Sequence, residues 1–323
     1  MRRNQTRRRV LAALATLALA SVAHAQSYPT RTVRVIVPFP PGGPSDVMMR
    51  VIAVQLGGAL GQTFVVENRG GGGANIGAEA LARAAPDGYT LGLLSTGHAV
   101  NMTLYAKLGY DTLRDFAPIS LLFTNPLLVV TQPGTAIQSI ADLIREARAR
   151  PGELTYGSTS IGASTHLGAE LFNTMAGVKL THIPYKGSAP ALTDLIAGRI
   201  TVLFDTTTSS MPQVRSGKLR ALGVTSRERS KVAPEMPTVA EVLPGYEAIG
   251  WNGFAAPTGT PAEVIARLNA ELAKILRSAE VSAKLEAAGS TEAYMSPQAF
   301  GAFLKSELEK WARVVTASGA RAE

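Results

Sequence analysis

The sequence predicts an α/β fold organised as two domains, and three observations carry this expectation. Short β-branched runs alternate with longer segments of helical period, the pattern of a parallel sheet with crossover helices. The chain has 323 residues, enough even without an N-terminal export signal to reach the size of about 250–300 residues at which one core gives way to two. Cysteine is absent, so packing alone must hold the fold.

Residues 32–37 are β-branched and read as the first strand, followed by a Pro/Gly loop and a helix over 46–60. Residues 64–67 form the next strand, followed by the glycine run 70–73, a helix over 74–84 and a strand over 90–94. The unit recurs as a helix over 139–148 stopped by Pro151-Gly152, a strand at 154–156, a helix over 164–176 and a strand at 179–183. A helix over 188–197 ends at Gly198, placed for the left-handed turn past a helix end, before strands at 200–204 and 219–224. Thr260-Pro261-Ala262-Glu263 reads as a capping box with proline at the first helical position, and Ser296-Pro297 opens the last helix in the same way.

The N-terminus reads as an address. Residues 1–9 hold five arginines, Val10–Val22 is apolar, and Ala23-His24-Ala25 supplies the small residues of a cleavage site. The apolar run is shorter than the roughly 20 residues a membrane-spanning helix needs. Export by the general or the twin-arginine route, with cleavage near Ala25, is expected, and the destination is the periplasm. Removing 1–25 takes five of the 32 Lys and Arg but none of the 24 Asp and Glu, which lowers the charge from +8 to +3. The basic character is therefore partly a property of the signal, and no basic cluster suggests a nucleic-acid surface.

Several chemistries are excluded by pattern. The run Gly70–Gly77 follows a strand but has no G-x-G-x-x-G register and no P-loop lysine. No G-x-S-x-G nucleophile elbow occurs. His98, His166 and His182 form no metal-ligand spacing, and neither metal nor cofactor is expected.

Two strand-to-helix loops are different. In the loop 38–46, glycines let backbone N–H groups approach a ligand, while the following helix offers unpaired donors and the positive end of its dipole. The loop 157–166 repeats the arrangement and carries five hydroxyls. Both lie at the carboxyl edge of a sheet, where open α/β folds bind ligands. Neither contains arginine. Paired seats of neutral donors suit a ligand with one carboxylate and a second polar end.

Val37-Pro38-Phe39-Pro40-Pro41-Gly42-Gly43, Val65-Val66-Glu67-Asn68-Arg69, Ala85-Pro86-Asp87-Gly88-Tyr89-Thr90-Leu91, His182-Ile183-Pro184-Tyr185-Lys186-Gly187 and Pro237-Thr238-Val239-Ala240-Glu241 carry a family resemblance. The chain resembles the solute receptors of tripartite tricarboxylate transporters, often called Bug receptors. The resemblance implies a periplasmic-binding-protein-like fold of type II: two α/β domains joined by two crossing strands, with the ligand cleft between them. It also implies that one carboxylate of the ligand sits on the first loop and that the second loop contacts its other end. Pro40 and Ser160-Ile161 depart from residues common in the family.

Expected boundaries are 1–25 for the signal, 26–126 with 250–323 for one domain, and 127–249 for the other, with crossings near 122–130 and 250–256. The expected ligand-binding residues of the first loop are Phe39, Pro41, Gly42, Gly43, Ser45 and Asp46, with Ser95, Thr96 and His98 at the end of a strand. Those of the other domain are Ser158, Thr159, Ser164, Thr165, His166 and Asp205. Asp205 would accept from a ligand hydroxyl or ammonium, or cap a helix. Trp251 should change surroundings on closure and Trp311 little. The expected function is that of a monomeric receptor without catalysis, delivering a small carboxylate to membrane transporter subunits or presenting it to a sensor kinase. An exported hydrolase is the rival reading. The exported chain should begin at or near Gln26, and N-terminal sequencing of periplasmic protein that still carried Val10–Val22 would contradict this.

Overall fold

The computed structural model describes residues 28–160, 162–230 and 233–322. The expected export signal and cleavage site lie outside the described residues. The first sheet is built around β1 (Val33–Val37), which pairs in parallel with β2 (Phe64–Asn68) and β3 (Thr90–Ser95). All of the side chains of β1 except Arg34 are buried, as a strand covered on both faces requires. Helix α1 (Pro44–Leu60) follows β1, and α2 (Asn75–Ala82) follows β2. Asn75 is the first residue of α2, and its Oδ1 accepts from Asn101 Nδ2 and Tyr110 OH, both at 2.8 Å.

A helix that the sequence did not announce, α3 (Thr96–Leu104), starts directly at the end of β3. Next comes β4 (Phe116–Thr131), one strand of 16 residues that belongs to two sheets. Its residues 116–126 pair antiparallel with β9 (Ile249–Pro257), which also pairs antiparallel with β3. Its later partners are β7 (Val202–Thr206) from Leu127 and β8 (Arg220–Val224) from Leu128, both antiparallel. The second sheet continues through β5 (Thr155–Ser158) to β6 (Thr181–Pro184) in parallel.

Around this second sheet lie α4 (Ile140–Ala149), α5 (Ser164–Ala176), α6 (Ser188–Ile196) and α7 (Thr207–Arg215). Helix α7 was also not apparent in the sequence. After β9 the chain returns to the first sheet with α8 (Ala262–Leu276), α9 (Ala279–Ala287), the short β10 (Thr291–Glu292) against β4, and α10 (Pro297–Ser318). The Thr260 capping box does not form. Pro261 takes the cap position, and Thr260 Oγ1 donates to the Pro257 carbonyl at 2.8 Å. Among the described residues, no helix is long and apolar enough to cross a membrane.

Within β9, Gly253 has a packing role. A Cβ there would lie 2.0 Å from Phe300 Cζ, so the Phe300 ring of α10 rests directly on the strand backbone. Phe300 in turn stacks near Phe303 and meets Trp251 edge-on, with ring centroids 6.4 Å and 6.2 Å apart. Gly253→Ala is expected to destabilise the protein by about 1–3 kcal/mol through overpacking. The penalty should shrink in a Phe300→Ala background, because the two positions are in contact; urea unfolding of the four-protein cycle measures it, and additive effects would contradict the packing account.

Candidate ligand-binding cleft

A cleft of about 300 Å³ opens where the two sheets meet. Four helices begin on its wall: α1 at Pro44-Ser45 and α3 at Thr96-Gly97 from one side, α5 at Ser164 and α7 at Thr207-Thr208 from the other. Each follows the carboxyl end of a strand, so the topology delivers four sets of first-turn N–H groups to one place. The cap positions of α1, α5 and α7 are Gly43, Ala163 and Thr206, and none makes a side-chain capping bond. Those donors and the positive dipole ends are left for an anion. Among the described residues, no Lys, Arg, Asp or Glu lines the cleft.

The expected residues of the first loop separate into wall and support. Phe39 and Ser45 line the cleft, and Ser45 Oγ donates to Asn252 Oδ1 at 2.9 Å. Pro41, Gly42, Gly43 and Asp46 do not line it. Asp46 is buried and turned back, accepting from Gly42 N at 2.9 Å, Asn68 Nδ2 at 2.8 Å and Arg50 Nε at 3.1 Å. Burial opposes its ionisation, but these bonds outweigh burial and hold the carboxyl below its usual range. The need for glycine resides at Gly42, whose φ of +82° is left-handed. At Gly43 a Cβ would meet only the Pro40 carbonyl, at 3.7 Å, so steric obstruction of the donors is not the reason for glycine there.

Ser95 and Thr96 line the cleft. Thr96 Oγ1 accepts from Trp251 N at 2.9 Å, fastening α3 to β9. His98 does not line it: the ring is fully buried, its Nδ1 accepts from Ser95 N at 2.8 Å, and it meets Tyr110 edge-on. The histidine is thus part of the helix start.

In the second loop Ser164 reaches the cleft, while Ser158, Thr159, Thr165 and His166 build the loop from within. Thr165 Oγ1 accepts from Thr159 N at 3.1 Å, Ser158 Oγ lies 2.7 Å from His182 Nε2, and His166 Nδ1 accepts from Gly162 N at 3.1 Å. His166 stacks on His182 at 4.1 Å between centroids, and Tyr156 stacks on His182 at 4.8 Å. Asp205 is buried behind the wall, accepting from Ser188 Oγ at 2.5 Å and Ser210 Oγ at 2.8 Å, which ties α6 to α7. Burial raises its carboxyl above the usual range, and the serine bonds only partly offset it. It neither faces the cleft nor caps α7, whose cap is Thr206.

Sequence reasoning missed Thr206, Thr207 and Thr208, although a hydroxyl run after a β-branched strand is the same signal as in the other two loops. It also missed Asn125, Asn252 and Gly289, which come from distant segments and carry no local signal. The two sides touch at both ends of the cleft. A Cβ on Gly162 would lie 2.8 Å from Leu104 Cδ2, and one on Gly289 would lie 2.6 Å from Thr208 Cγ2.

A larger hollow, about 660 Å³, lies on the other side of the crossing strands and is lined by Glu228, Glu247 and Glu307 as well as Arg227, Arg229 and Lys310. Arg229 pairs with Glu241, and Lys310 with Glu307. Its three carboxylates offset its three cations, so among the described residues it presents no net positive charge to an anion. Glu307 Oε2 also accepts from both indoles, Trp251 Nε1 at 2.7 Å and Trp311 Nε1 at 2.9 Å.

Two α/β domains sharing a strand, with a neutral, donor-rich cleft between them, define a periplasmic-binding type of solute receptor. The chain belongs to the tripartite tricarboxylate transporter receptor family, whose profile matches residues 48–320. It is 39% identical over 311 residues to protein BugT of Bordetella pertussis, covering 95% of each chain. The solved structure of an R. palustris protein with adipate is 40% identical, with a TM-score of 0.74 over 91% of this chain and 99% of that one. MatC from Rhodopseudomonas palustris with bound malate is 31% identical, with a TM-score of 0.69 over 89% of this chain and 100% of that one.

The buried histidines make stability pH-dependent. Burial pushes His98 down to about 4, and burial with the adjacent His182 does the same to His166. In the unfolded chain a histidine titrates near 6.5. The unfolded state therefore takes up protons first, so stability is complete above about pH 6.5 and is lost as pH falls toward 4. Urea midpoints should drop between pH 7.5 and 4.5. His98→Asn keeps an acceptor for the Ser95 N–H without titrating, and should flatten the slope.

Proposed function

We propose that this chain is an exported, periplasmic solute receptor that binds a small carboxylate and passes it to the membrane subunits of a tripartite transporter, without catalysing a reaction. The observation that supports this most is the convergence of four helix N-termini from both sides of a cleft that, among the described residues, has no cationic side chain. Such a cleft favours anions through fixed dipoles and N–H donors. In this reading the first-turn amides at Ser45, Thr96, Ser164 and Thr207 hold the ligand. The adipate and malate of the two R. palustris relatives agree with that chemistry.

The domains of this reading are 26–126 with 250–323, and 127–249, acting as a monomer. They close about the β4 and β9 crossings. Neither half of the cleft encloses a ligand alone, and hinge closure is a common response of two-domain receptors.

Ser164→Asp places the protein's own carboxylate at the start of α5, a position where aspartate suits the helix dipole. The variant should fold normally and lose at least tenfold in affinity for whichever carboxylate the unmodified protein binds, read by calorimetry. Solution scattering should show a smaller radius of gyration on ligand binding. Unchanged affinity in the folded variant would refute the placement of the ligand, and a receptor that bound no carboxylate would refute the function.

A further inference from the structure

We infer that the cleft selects a dicarboxylate whose two carboxylates are joined by an unfunctionalised apolar body, and that it discriminates against hydroxylated and amino-bearing acids. This rests on the cleft being the carboxylate site. The two pairs of helix starts face each other, α1 and α3 opposite α5 and α7, so one carboxylate satisfies only one side. Asn252 adds an independent donor: it is 6% exposed, its Oδ1 is taken by Ser45, and among the described residues its Nδ2 has no partner.

Part of the cleft wall is apolar, formed by Phe39, Val100, Pro126 and Leu127. Three hydroxyls of the cleft spend their donors within the protein. Thr207 Oγ1 donates to the Pro126 carbonyl at 2.9 Å and Thr206 Oγ1 to Ser209 Oγ at 2.9 Å, while Thr96 Oγ1 faces the Ile249 carbonyl at 3.4 Å. A hydroxyl on the middle of a ligand would lose its water without a matched partner, which is unfavourable. An ammonium fares worse. The two nearby acids, Asp46 and Asp205, are turned away from the cleft and already accept several hydrogen bonds each.

The size agrees, since about 300 Å³ is at the lower end for ligand cavities. Calorimetry on the mature protein with adipate, malate, citrate and glutamate tests the inference. Adipate should bind about 10- to 100-fold more tightly than malate or glutamate, the discrimination an apolar site achieves against an added polar group. Malate or glutamate binding as tightly as adipate would overturn the inference while leaving the carboxylate receptor intact. Binding of none of the four would overturn both. Val100→Thr puts a hydroxyl of nearly the same shape into the wall and should narrow the adipate-to-malate ratio. An unchanged ratio in the folded variant would overturn the assignment of selectivity to this wall.

Discussion

The exchange of partners along β4 is the constraint on which the rest of the molecule depends. One strand is hydrogen-bonded to β9 up to Pro126, to β7 from Leu127 and to β8 from Leu128. Proline has no N–H to give a ladder, so the switch falls at a residue that would weaken an uninterrupted sheet. The neighbours then fix the junction. Thr225 Oγ1 accepts from Leu127 N at 2.8 Å, and Thr207 Oγ1 donates to the Pro126 carbonyl. Through Thr207 the start of α7 is anchored to the crossing strand itself. The cleft therefore has the crossing as its floor, and any rotation between the sheets moves the helix starts relative to one another.

In the proposed reading, holding an anion with backbone amides avoids a difficulty that arginine would create. A guanidinium in a closed cleft must be desolvated, and without ligand it would face that cost unpaired. First-turn amides carry only partial charge, and the fold has already oriented them. The same logic explains why the acids near the cleft are turned away. Asp46 shapes the proline-glycine loop through Gly42, and Asp205 joins α6 to α7, so each contributes position without placing a negative charge against the ligand.

The sequence made the α/β alternation legible because β1 and β2 are β-branched or aromatic runs, β3 is a leucine-rich one, and turn residues bound them. It did not reveal α3 or α7. Their first turns are rich in Thr, Ser and Gly, and α7 contains Pro212, so intrinsic propensity is weak and tertiary packing supplies the helix. It did not reveal β4 as a single strand either, because Pro118 and Pro126 read as interruptions. The strand-to-helix loops were legible from composition as places where helix starts meet the carboxyl edge of a sheet, and both reach the cleft. Which side chains face in was not, because Asp46, His98, His166 and Asp205 are oriented by partners that the sequence leaves far apart or ambiguous.

The carboxylate shared by the two tryptophans has a spectroscopic consequence. The chain contains two Trp residues, and in sequence they look like separate reporters, one at the crossing and one in the terminal helix. With both indole N–H groups on Glu307 Oε2, they occupy one electrostatic environment and lie close enough to exchange excitation. Replacing Trp311 alters the acceptor that Trp251 uses, so a single-tryptophan variant measures a repaired site rather than one half of the original. The intrinsic emission of this protein is the signal of one coupled pair, and only a label placed elsewhere can resolve motion of the cleft from motion of the core behind it.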